Sequence, residues 1–221
     1  MRLCDAGPRE RIRLARELLG PAARTGRIEE VTMLLAAGGG AAIDEIDING
    51  DTPLTMATET GHTSIVRLLC SYGASRAPNC LGFTAEDYAR VNHRLELCAW
   101  LERSRDWSPL HYIEQLSLPR AIALLHGGAD VHVGSPSPLE RARKVGGEVG
   151  ELVARAAGPW SPTTHELFPP AERRRAVALL RLGYLLAWGH ECADGAALLD
   201  VWRAHVLPLA VLRPRGRREP D

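Results

Sequence analysis

Between Asn49 and Ala74, in NGDTPLTMATETGHTSIVRLLCSYGA, the apolar positions form two short helical stretches divided by a glycine. Leu54 and Ala57 lie three apart on one helical face, and Ile65, Val66, Leu68 and Leu69 give the apolar face of a second helix. Thr52 is placed to cap the first helix through its hydroxyl. Pro53 suits the first helical position because the N–H it lacks has no intrahelical partner there. Gly61 ends the first helix, and Gly73 is expected in the left-handed conformation that closes the second.

The same frame recurs along the chain. Sliding back by 35 residues finds Leu18, Ala22, Gly26, Val31, Leu34 and Leu35, with Gly38 to Gly40 as a looser terminal turn. Sliding forward by 32 places Gly82, Thr84, Ala89, Leu97 and Leu101 on Gly50, Thr52, Ala57, Ile65 and Leu69. This third copy lacks the closing Gly-Ala. A fourth, DWSPLHYIEQLSLPRAIALLHGGADV, has Ser108-Pro109 as a cap, Ile122, Leu124 and Leu125 in its second helix, and a turn at Gly128-Ala129-Asp130. A fifth starts at Ser137-Pro138-Leu139 and keeps Ala142, Gly146, Val149 and Leu152.

T-P-L at Thr52 to Leu54, G-H-T-S-I-V-R-L-L at Gly61 to Leu69, S-P-L-H at Ser108 to His111 and G-A-D at Gly128 to Asp130 resemble ankyrin repeats, whose period is about 33 residues. The resemblance implies an all-α helical solenoid of four to five repeats over residues 1–157, followed by a C-terminal helical cap in 158–221. It also implies a non-enzymatic scaffold that binds a partner protein on its concave face. Two positions depart from the pattern: Ala85 stands where repeat three should have Pro, and Pro21 falls inside the first helix, where it is expected among the first, unpaired N–H groups.

Mapping the frame onto outward positions nominates Asn49, Asp51, Glu59 and Thr60 in repeat two, Phe83, Val91 and Asn92 in repeat three, and Arg105, Trp107, Gln115 and Leu116 in repeat four. Phe83 and Trp107 share one hairpin position in successive repeats, and large exposed aromatics make natural interface anchors.

After Gly158 the text changes to PWSPTTHELFPPAERRRAVALLRLGYLLAW. A Gly-rich break at Gly189 to Gly195 follows, then a helix expected over 196–206. Trp160-Ser161-Pro162 and His165 echo Trp107-Ser108-Pro109 and His111, as a diverged terminal repeat would, and a stacked array needs a terminal unit to shield its last apolar face. The segment is also similar to the tails of ankyrin proteins abundant in unicellular algae. An alternative reading makes the tail a docking helix of a ubiquitin-ligase adaptor: Leu207-Pro208-Leu209 matches such a box, but its Cys-containing start is missing.

Composition narrows the possibilities. Of 221 residues 45% are apolar but only 5% aromatic, and Leu and Ala are the commonest apolar types, which favours helix. Net charge is zero, so no global field draws the chain to nucleic acid or membrane, and no apolar run reaches the roughly 20 residues of a membrane span. Arg173 to Arg175 and the tail Arg213, Arg215, Arg217 and Arg218 are the basic clusters. Without interleaved aromatics they argue against a nucleic-acid-associated regulator, the third reading. Cys4, Cys70, Cys80, Cys98 and Cys192 are odd in number and never paired as C-x-x-C, which points to a reducing interior, cytoplasmic or nuclear. Nucleophile elbow, phosphate loop and zinc-protease motif are absent from the sequence, and His126 and His132 flank a Gly-Gly turn without the spacing of a metal site. No cofactor, metal or small-molecule substrate is expected. His62 and His111 are read as structural, bonding neighbouring turns.

Overall fold

The computed structural model describes residues 8–189 and 195–211. Within them the chain is helical, without a strand, and it forms two compact units that divide between Gln115 and Leu116. Cys4, Cys192 and the C-terminal arginines lie outside the described residues.

In the first unit, α1 (Pro8–Arg24) pairs with α2 (Ile28–Ala36), α3 (Pro53–Thr60) with α4 (Thr63–Ser71), and α5 (Ala85–Val91) with α6 (Leu95–Arg103). The first helices form a row, α1 against α3 and α3 against α5. At the matching positions Ala22, Ala57 and Ala89 are fully buried, and their small side chains let these helices approach closely. The core continues through Leu19, Val31, Leu34, Leu54, Ile65, Leu69 and Leu101.

Helix ends follow the expected chemistry. Thr55 N–H donates to the Thr52 hydroxyl at 3.3 Å, and Thr84 forms a full capping box with Asp87. Gly61 and Gly73 adopt φ of 83° and 86°, which lets the following N–H groups turn back: His62 N–H to Ala57 O at 2.9 Å and Ala74 N–H to Leu69 O at 3.1 Å. The same bond recurs from Arg27 to Ala22 at 3.0 Å and from Arg94 to Ala89 at 2.8 Å. His93 takes the glycine's place in repeat three, with φ 55°.

Three features differ from the sequence expectations. Helix α1 begins at Pro8, so Pro21 lies deep in its interior and not among the first N–H groups. Pro21 and Glu17, whose carbonyl loses its bond, are both on the exposed side, where water can serve that carbonyl. In repeat four the first helix shrinks to two 3-10 turns, Pro109–His111 and Ile113–Gln115. The C-terminal helix also runs further than 196–206, from α11 (Gly195–Val201) through a π-helical turn (Trp202–Val206) to α12 (Leu207–Ala210).

Repeat three carries the largest departure inside the core. Glu86 occupies the place of the motif leucine Leu54, 32 residues earlier, yet is only 3% exposed. Neither of its carboxylate oxygens accepts a hydrogen bond. Its charge is balanced by Arg76 at 3.9 Å and Arg105 at 3.7 Å. Arg76 in turn donates to the Leu101 carbonyl at 2.6 Å, the Ser104 hydroxyl at 2.9 Å and the Tyr112 hydroxyl at 3.0 Å. Burial pushes the Tyr112 phenol up to about 12, so it stays neutral. Leu101 aligns with Leu69, whose carbonyl is satisfied by Ala74 N–H. The guanidinium therefore supplies the bond that the missing Gly-Ala turn cannot.

In the second unit α7 (Leu118–His126) packs on α9 (Gly147–Ala156), which pairs with α8 (Pro138–Val145), capped by a Ser137/Glu140 box. The helix α10 (Pro170–Gly189) packs on α11 and α12, and Trp160, Phe168, Ala176, Leu207 and Val211 form a core there. The change of sequence character after residue 157 lies inside this unit.

Two outcomes follow for stability. Pro21→Ala should raise it by about 2 kcal/mol, the helix-interior penalty of about 3 less about 1 for the looser unfolded chain, read as an increased urea midpoint. Arg76→Met should cost about 3 kcal/mol, by leaving the buried Glu86 carboxylate to the exposed Arg105 alone and taking the guanidinium donor from the Leu101 carbonyl. Adding Glu86→Leu should recover part of that loss, so a double-mutant cycle that shows simple additivity would refute the coupling.

Candidate binding surface of the loop tips

The loops before α3 and α5 are copies of one turn. In the first, Asp47 N–H donates to Asp51 O at 3.0 Å, Gly50 N–H to Asp47 O at 3.0 Å, and the Asp47 carboxylate accepts from the N–H groups of Asn49 and Asp51. In the second, Asn79 N–H donates to Phe83 O at 2.8 Å, Gly82 N–H to Asn79 O at 2.9 Å, and the Asn79 side-chain oxygen accepts from Leu81 and Phe83. A short polar side chain at the turn's start thus fixes each tip by local bonds.

The two tips are also joined to each other. The Asn79 amide donates to Asp51 at 2.9 Å, the Tyr88 hydroxyl donates to the same carboxylate oxygen at 2.8 Å, and the Cys80 thiol donates to the Asn49 carbonyl at 3.2 Å. Cys80 packs so closely over Gly50, at φ 79°, that a Cβ there would lie 2.1 Å from its sulfur. Electrostatics reinforce the geometry. Burial raises the Asp47 carboxyl, but the N–H groups of Asp51 and Asn49, the Asn49 amide and Arg24 outweigh it and hold Asp47 below its ordinary range. Burial, and donation to Asp51, push the Tyr88 phenol up.

This scaffold exposes apolar side chains. Ile48 is fully open to solvent at 101%, Leu81 is 67% and Phe83 46% exposed, with Asn49 beside them. Of the residues nominated from the sequence, Asn49, Phe83, Val91, Asn92 and Arg105 are exposed, and Glu59, Thr60 and Gln115 are half-buried. Asp51 is buried in the bonds just described, and Leu116 is buried as well. Trp107 is not the counterpart of Phe83. It is half-buried, stacked on His111 with ring centroids 5.8 Å apart, and meets Trp100 and Tyr112 edge-on at 6.3 and 5.5 Å. Repeat three ends without its Gly-Ala turn, and the chain folds Trp107 back onto α6. Ile48 and Leu81 escaped the sequence mapping, which followed frame positions in place of loop apolarity.

His62 and His111 both make packing or capping contacts. His111 is buried and its Nδ1 accepts from Ser108 N–H at 2.9 Å, while the His62 ring lies over Gly26 of the preceding repeat. His126 contacts the Glu166 carbonyl through Nε2. Among the described residues no cluster of three or more His, Cys, Asp or Glu is placed to hold a metal, and no helix is long and apolar enough to cross a membrane.

Comparison with known proteins agrees with the turn-by-turn geometry. The family model described as ankyrin repeats (3 copies) matches residues 19–108. No curated protein matches the chain. Ankyrin repeats are, as a class, modules of protein–protein interaction, typically non-enzymatic. That match spans the helix pairs whose caps, glycines and buried alanines recur in register, so residues 19–108 of the chain form ankyrin repeats.

Proposed function

We propose that this protein is a non-enzymatic scaffold that holds a partner protein against the loop tips of its repeats, with the array running to residue 157 and residues 158–221 acting as a terminal helical module. The observation that carries this reading is the exposure of Ile48, Leu81 and Phe83 on tips held rigid by the Asp47, Asp51 and Asn79 bonds. Exposed apolar side chains on a preorganised backbone bind at little cost in ordering, and they mark interaction sites on soluble proteins.

Asn49, next to Ile48, and Asn92 and Arg105 are exposed polar groups suited to a rim, and Glu59 and Thr60 are half-buried at the C-terminal end of α3. Asp51, Trp107 and Gln115 serve by position: Asp51 fixes the tips and Trp107 packs beneath the surface. The partner's complementary patch is therefore apolar at its middle and polar at its edge.

The test is affinity capture from the native host with the full chain and with an Ile48→Ser/Leu81→Ser/Phe83→Ser variant. Partner recovery should fall by about tenfold or more, as when central anchors are truncated, while the melting temperature stays within a few degrees because the three side chains carry little of the core. Undiminished capture by the variant would overturn the site.

A further inference from the structure

In the second unit α10 has one side that the fold uses and another that it does not. Glu172, Ala176, Leu179, Gly183 and Ala187 recur at helical spacing on the covered side. Ala176 and Ala187 are buried there, Gly183 lies under the Trp202 ring, and the Trp202 indole N–H donates to the Leu179 carbonyl at 3.0 Å. Arg174, Val177, Arg181, Tyr184, Leu185 and Trp188 recur on the opposite side, and all are exposed. Leu185 is 67% and Trp188 56% open, and the Tyr184 and Trp188 rings stack with centroids 4.3 Å apart, forming a flat apolar platform.

From Ala176 to Trp188, Arg181 is the only charged residue. A helix apolar around its circumference is ordinarily covered on both sides. Charge says what kind of cover fits. Arg173 is neutralised by Glu166 at 2.8 Å, whereas Arg174 and Arg181 form no ion pair with a described residue. The only acid of α10, Glu172, lies on the covered side. Arg173, Arg174, Val177 and Arg181 line a groove of about 560 Å³ with His165 and Pro170. Cationic and apolar groups stand in series along one side, with Arg174 and Trp188 separated by about 21 Å of helix axis. A helix lying in a membrane surface instead divides them around its circumference.

We propose that this side of α10 is a docking site for an amphipathic partner helix that brings carboxylates to Arg174 and Arg181 and apolar side chains to Tyr184, Leu185 and Trp188. The site is independent of the loop tips, and neither depends on the other.

The experiment uses the full chain and a fluorescein-labelled helical peptide of about 15 residues, long enough to cover that span, with Glu at one end and Leu and Phe at the other. Its isomer with Lys for each Glu is the control. Fluorescence anisotropy should show the acidic peptide bound and the basic isomer about tenfold weaker or more. Arg174→Glu/Arg181→Glu and Tyr184→Ala/Trp188→Ala should each weaken the acidic peptide about tenfold, and the charge-reversed pair should gain affinity for the basic isomer. Circular dichroism melts establish that both variants are folded. The proposal is overturned by absence of acidic-peptide binding, by equal binding of both peptides, or by binding that neither variant alters. It is equally overturned if the same residues instead carry the chain onto phosphatidylserine vesicles, or into a dimer by sedimentation velocity.

Discussion

A helix of eight or nine residues leaves close to half its backbone carbonyls without an internal partner, and most helices of the first unit are of that size. Whether such elements persist depends on how their ends are closed. The left-handed turn after each first helix does this by returning the next N–H to a buried alanine carbonyl, at Ala22, Ala57 and Ala89 alike. The same turn brings each repeat against its neighbour, since the space a side chain would take at Gly26 and Gly61 is filled by His62 and Arg94 of the following repeat. Arg94 adds a bond to the Glu59 carbonyl at 2.9 Å. Closing a helix and stacking a repeat are thus one event, which makes stability a property of neighbouring pairs.

Repeat three keeps that turn after its first helix but lacks the corresponding closure after its second. It has His93 in place of a glycine, Glu86 in place of the motif leucine, and no Gly-Ala after α6. A buried carboxylate is costly unless a cation accompanies it, and an unclosed helix end needs a donor. Arg76 meets both needs through one planar group with several N–H donors, a geometry that lysine lacks. The departures from the motif therefore belong together: the arginine that neutralises Glu86 is the one that satisfies the Leu101 carbonyl.

Much of this was legible in the chain because caps and closing glycines act locally. Thr52, Thr84, Ser137, Gly61 and Gly73 each do what their neighbours in sequence require of them. The start of α1 was not legible, since the period marks where repeats align and is silent on helix added before the first. Burial of Asp51 and the folding back of the half-buried Trp107 were hidden for a different reason. Both positions are set by partners about 30 residues away or by a turn that is absent, and no spacing rule reports a hydrogen bond from Asn79 or a ring folded onto Trp100. Ile48 and Leu81 were visible as apolar residues in a loop, but a period-based mapping passes over them.

The exposed surfaces of the two units are made by different means, and this bears on what each can recognise. The loop tips carry three isolated apolar side chains on a backbone fixed by hydrogen bonds, so their spacing is set before a partner arrives and specificity resides in shape. On α10 the spacing is that of a regular helix, and discrimination comes from the order of charge and apolar surface along its axis. Such order tells apart the two ends of a partner, which the uncharged tips at Ile48, Leu81 and Phe83 cannot do. A chain carrying both can fix one ligand by fit and another by polarity, without any change in either unit.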